Sequence, residues 1–235
     1  MSLLTIVQKA CTRIGILSPN QVVGNQDNQI IQLLALCNEE GEDLATRFAW
    51  TALQLNTTFG TVAAESQGAM ATIAPGYSYI VNDTIYNRTL RRPVYGPLSE
   101  AGLAEAKAMN INGPWNRFII QGGLLKFNPI PTAGQTCAFD YITSNWCTDS
   151  TGVTGRDTWA LDSDISRLNE PLIVLGLVWR WRAAKGLDYA EDYNKYERRV
   201  ADTFARDGGK PILDMNSGGN SYNPNIVIPV GSWLS

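Results

Sequence analysis

The chain has 235 residues, 44% of them hydrophobic, enough for one large domain or two small ones with a sizeable core. Its formal net charge of −3 sets no global bias toward nucleic acid or an anionic membrane. Histidine is absent, which excludes Ser-His-Asp and Cys-His catalysis, histidine zinc sites and an imidazole general base together.

In chain order, Ser2 caps a first helix in which Leu4, Val7, Cys11 and Ile14 share a face, ending near Gly15. A turn-rich link from Ser18 to Asn25 follows. Asp27 then caps a longer helix whose seam is Ile30, Leu34, Cys37, Gly41, Leu44 and Phe48. Gly41 within that seam predicts a close helix crossing. The opposite face carries Glu39, Glu40, Glu42 and Asp43, a cluster whose default explanation is a solvated acidic face.

After Trp50 the period changes. Leu53, Leu55, Thr57 and Phe59 alternate with polar residues, which predicts a half-buried strand. Gly68 to Gly76 predicts loop and short pieces, Thr84 to Arg88 a strand, Arg91-Arg92-Pro93 a turn, and Ser99 to Ala108 a short capped helix broken at Asn112-Gly113-Pro114. Two apolar runs, Phe118 to Gln121 and Leu124 to Phe127, flank Gly122-Gly123 and predict a tight hairpin with positive φ at both glycines. A third strand runs from Cys137 to Ile142.

Thr148 to Arg167 is a polar connector holding Asp157, Asp162 and Asp164. It fails as an EF-hand: counted from Asp162, Arg167 stands where glycine is needed and Ile173 where glutamate is needed. Leu168 to Gly209 then forms a helical hairpin. Its first helix opens on Asn169 and Pro171, is apolar almost all round from Leu172 to Trp179, and stops at Gly186 after Arg180, Arg182 and Lys185. An all-round apolar helix asks for neighbours on several sides, so it is the central one. Its uncharged run is too short to span a membrane, which takes roughly 20 residues. The alternating Trp179-Arg180-Trp181-Arg182 reads as buried tryptophans with arginines reaching the rim. In the second helix Asp188 and Glu191 have capping-box spacing, and Tyr189, Tyr193, Tyr196, Val200 and Phe204 draw one apolar seam.

The fold class expected is therefore α+β. Residues 1–51 and 168–208 form a helical bundle, 52–147 an inserted small antiparallel β domain, and 148–167 the connector. Residues 209–235 form an extended arm in which Ile226, Val227, Ile228, Val230, Trp233 and Leu234 are apolar enough to need a partner surface. Cys11, Cys37, Cys137 and Cys147 lack metal-site spacing and are expected to be reduced core thiols of a protein made in a cytosol. Met1-Ser2-Leu3-Leu4 has no export-signal character.

Several stretches resemble the head-to-tail adaptors of tailed bacteriophages, the family related to the tail tubular A protein of short-tailed phages. They are the Leu4, Val7, Ala10, Arg13-Ile14-Gly15 pattern, Arg47-Phe48-Ala49-Trp50, and the strand Leu53 to Phe59. Thr84 to Thr89, the Gly122-Gly123 hairpin running into Pro129 and Pro131, and Trp159 to Asp164 also match. The most telling is Trp179-Arg180-Trp181 with Lys185 to Tyr189. The resemblance covers residues 1–208 and implies a structural virion protein, not an enzyme, that forms a ring of about twelve copies under the portal at the head-tail interface. Implied partners are the portal protein, a tail or nozzle protein, neighbouring copies and double-stranded DNA in non-specific passage. The resemblance brings no catalytic residue, cofactor, metal or membrane insertion, and it places synthesis in the bacterial host cytoplasm.

Two expectations follow. Glu39, Glu40, Glu42 and Asp43 line the channel, where like charge lets DNA slide. The arm from Gly209 to Ser235 reaches the portal or a neighbouring subunit. The rival reading is a tail-associated cell-wall glycan hydrolase, whose carboxylate-pair chemistry needs no histidine and for which Glu170 beside Pro171 is the nearest candidate acid. A nucleic-acid-binding module is a further alternative, without an aromatic and basic strand platform to carry it.

Overall fold

Ser2 and Asp27 start the first two helices by the same device, a side-chain oxygen accepting from an amide that has no partner within the helix. In the computed structural model, which describes residues 1–108 and 115–208, Ser2 Oγ accepts from Thr5 N–H at the head of α1 (Leu3–Ile14). Asp27 Oδ1 accepts from Gln29 N–H at 2.9 Å and opens α2 (Asn28–Arg47). Gly15 ends α1 at φ 83°, a left-handed conformation that favours glycine.

α5 (Glu170–Ala184) lies against α1, α2 and α6 (Ala190–Phe204), so the helix that is apolar all round is the central one. Leu172, Ile173, Val174, Leu177, Val178 and Trp181 are all buried there. Gly186, at φ 69°, closes α5, with Leu187 N–H donating to Arg182 O. The capping expectations at the hairpin need correction. Asn169 takes the cap position without a side-chain bond, and Asp188 Oδ1 accepts from Ala190 N–H rather than from Glu191. The seam of α6 is buried at Tyr196 and Val200, while Tyr189, Tyr193 and Phe204 keep much of their surface. Phe204 instead stacks on Phe48 at 4.1 Å between ring centroids.

A short 3-10 turn, Thr51–Leu53, leads into β1 (Gln54–Gly60), which alternates exposed and half-buried residues as its period demands. β2 (Ser66–Ala69), α3 (Met70–Ile73), β3 (Tyr77–Ile80), β4 (Tyr86–Asn87) and β5 (Arg92–Pro93) are short. α4 (Glu100–Ala108) has Gly102 N–H donating to Ser99 Oγ. β6 (Arg117–Gln121) and β7 (Leu124–Asn128) pair across Gly122 and Gly123, both at positive φ, and β2 joins the other edge of β7. β8 (Thr136–Thr143) is the centre of a separate five-stranded sheet. β1 pairs along one edge of β8 from Gln54↔Ile142 to Gly60↔Thr136, and β3 and β4 divide the other edge. All these ladders are antiparallel, and the class is α+β.

Two buried cores result. Phe118, Leu125, Phe127, Cys137, Phe139 and Tyr141 belong to the β core. The helical core takes in Leu53, Ile142, Trp146, Cys147, Trp159 and Leu168 besides the helices themselves. The segment 148–167 is thus more than a polar connector. β9 (Cys147–Thr148) pairs with β10 (Gly155–Arg156) and β11 (Ile165–Ser166), and the Trp159 ring is buried. Asp162 accepts from the amides of Val22 and Val23, while Asp164, fully buried, accepts from Ala160, Leu161 and Arg156. Leu3 and Leu4 donate to the carbonyls of Asp164 and Asp162, which ties the start of α1 to the same segment.

The close approach at Gly41 is not a helix crossing. The Trp146 ring lies over it, and a Cβ at that position would fall 2.4 Å from Cη2.

Candidate functional site at the acidic face of the second helix

Residues 39, 40 and 43 of one helix span about one turn, so their side chains reach a common region. What they meet is Arg180 of α5. Its Nε donates to Glu40 Oε2 at 2.6 Å, Nη2 to Asp43 Oδ2 at 2.9 Å and Nη1 to Glu39 Oε1. The guanidinium also stands 4.7 Å from the centroid of the Trp179 ring. Arg180 is therefore held by three carboxylates and an aromatic face rather than reaching free solvent, and Arg182 is likewise paired with Asp192.

Glu40 is fully buried, which corrects its expected place on a solvated face and removes it from any channel lining. Room for it comes from Gly176, one turn before Arg180 on the same side of α5. A Cβ on Gly176 would lie 2.1 Å from the Glu40 carboxyl carbon. Glu39 and Asp43 keep exposed surface but share the arginine's charge. Glu42 is exposed and, with Asp157, edges a cleft of about 390 Å³ between α2 and the end of β8.

Burial pushes the Glu40 carboxyl up to about 7, against the pull of the Tyr196 hydroxyl and of Arg180 toward the charged form. The Tyr196 hydroxyl lies close enough to bias the carboxylate but not in geometry that completes a hydrogen bond, and Glu40 Oε1 and Tyr196 Oη both lack a partner. A carboxyl that holds its proton near neutrality is the type a general acid requires. This one has no surface through which a substrate could reach it. The other candidate acid, Glu170, accepts from the Met1 ammonium at the head of α5. Among the described residues no group of acidic and cysteine side chains is placed to hold a metal ion.

Neither a family model nor a curated protein sequence matches the chain.

The four cysteines are buried free thiols. No described helix is long and apolar enough to cross a membrane. The docking candidates Ile226, Val227, Ile228, Val230, Trp233 and Leu234 lie outside the described residues. Sequence reasoning missed Gly176 and Tyr196 as parts of the cluster. The one local signal was a glycine inside an uninterrupted apolar run, four residues before an arginine.

Proposed function

We propose that this protein is a structural subunit of a tailed-bacteriophage virion, a head-to-tail adaptor that forms a ring beneath the portal, continues the DNA channel and gives the tail its platform. The observation that carries the reading is convergence: stretches far apart in the sequence, each resembling that family, are joined directly in the fold. Leu4 N–H near the start donates to the Asp162 carbonyl, and the Phe59 ring of the first strand meets the Phe127 ring of the glycine hairpin edge-on, 6.1 Å between centroids. Residues shared with a family for separate reasons have no need to meet; residues that build one wall do.

In this reading the helical half forms the ring wall and the grip on the portal, and the β half faces outward or toward the tail. The channel-facing role narrows to Glu42 and the outer edges of Glu39 and Asp43, since Glu40 is enclosed. The arm beyond Gly208 reaches the portal or a neighbouring copy. No observation favours a glycan hydrolase over this reading, because the carboxyl best suited to acid catalysis is sealed from solvent.

The test is cryo-electron microscopy of the purified protein mixed with its portal ring. A ring stacked in register with the portal is expected. A folded protein that ignores an intact portal overturns the adaptor reading.

A further inference from the structure

α6 carries three cations within five residues, Lys195, Arg198 and Arg199, although the chain is net acidic. Lys195, Arg198 and Arg199 are exposed, and none has an ion pair among the described residues. With Arg13 from the end of α1 they surround an open groove of about 540 Å³, in the size range of ligand sites, roughly 300–1,000 Å³. The groove's floor is apolar, made by Pro171 and Leu175 at the start of α5, and its single carboxylate is Asp202.

A duplex presents a broad, convex phosphate surface with nothing apolar to set against Leu175 and Pro171. A protruding peptide with carboxylates beside apolar side chains satisfies both parts of the groove. The chain itself has such a segment at the opposite end of the same hairpin. The turn from Leu187 to Glu191 is exposed throughout, with Leu187 at 55% and Tyr189 at 44% of their full surface. Its acid Asp188 accepts from Ala190 N–H, and among the described residues neither Asp188 nor Glu191 has an ion pair. Lys185, three residues before Asp188, is engaged over the Trp181 ring and with Gln32.

We infer that the groove between α1, α5 and α6 is a docking site for a second copy of this chain, which inserts its Leu187 to Glu191 turn. Asp188 and Glu191 meet Arg13, Lys195, Arg198 and Arg199, and Leu187 and Tyr189 cover Leu175 and Pro171. Donor and acceptor are different surfaces of one molecule, so the contact is heterologous and propagates from copy to copy, closing into a ring where the rotation allows. The inference rests on the adaptor reading, in which copies sit side by side, but its chemistry stands apart from the portal.

The experiment is sedimentation equilibrium of the full chain over a range of concentration and salt, without portal. Two charge reversals on exposed residues are compared, R198E/R199E in the groove and D188K/E191K in the turn. Wild type is expected to self-associate, more weakly as salt rises. Each reversal should weaken association about tenfold, and their combination should restore it. Association untouched by either reversal overturns the groove as the contact while leaving a ring in place. A wild type that stays monomeric overturns the inference, and portal docking then decides the adaptor reading separately. Retention of duplex DNA that R198E/R199E abolishes, with no self-association, would give the groove to nucleic acid and sink the proposal.

Discussion

Replacing Glu40 by glutamine keeps the side chain's shape and removes its charge. The amide oxygen can still accept from Arg180 Nε, which retains Glu39 and Asp43 as charged partners, and the new N–H can point toward the unpartnered Tyr196 oxygen. Burial holds the Glu40 proton to about 7 in the folded chain against 4.5 when it is free of that environment. The folded state therefore binds this proton more tightly than the unfolded state. The stability that Glu40 contributes is fully present below about 4.5 and is lost as pH rises through about 7. At 1.36 kcal/mol per pH unit, the loss is about 3 kcal/mol for the wild type. Glutamine has no proton to lose, so E40Q should match wild type near pH 4 and exceed it by up to about 3 kcal/mol near pH 8. Urea denaturation followed by fluorescence of the buried tryptophans measures both. An E40Q variant less stable than wild type by more at the higher pH would refute the reasoning, because it would mean that attraction to Arg180 outweighs the desolvation of Glu40.

Gly176→Ala drives a methyl into a carboxyl that has nowhere to go. It should cost about 3 kcal/mol, from overpacking and loosening of the ion pair, and Glu40→Ala in the same chain should recover much of it. A cost that is simply additive in the double variant would separate the two sites. The cysteines should resist thiol reagents until the chain unfolds. All four are buried, and burial pushes Cys37 and Cys147 up to about 12 and Cys137 up to about 11, so almost no thiolate is present at neutral pH. Fast reaction of any of these three in native protein would contradict the core they are placed in.

The parts of the fold that depend on near neighbours were legible. Ser2, Asp27, Gly15 and Gly186 act within a turn of where they stand, and Gly122-Gly123 needs only the two runs that flank it. What escaped depends on partners far along the chain. Asp162 and Asp164 read as part of a polar connector, yet their carboxylates accept from the amides of 22, 23, 160 and 161. Gly41 announced a close approach, but nothing local says that Trp146, rather than a helix, makes it. Glu40 is the sharpest case. Four acids on a helix face look solvated until Gly176 and Arg180, some 140 residues away, turn one of them inward.

β8 carries the consequence that reaches furthest. Cys137, Phe139 and Tyr141 are built into one core and Ile142 into the other, and four residues later Trp146 seats its ring on Gly41 of α2. The strand is a beam common to both halves, with no flexible hinge of spare residues between its two sets of contacts. Tension applied to the β half is delivered through Trp146 to the helices within one short step, and neither half can come apart while the other keeps its hold on the beam. Such a molecule is expected to melt in one transition despite its two cores, seen as coincident loss of helical and tryptophan signals on heating.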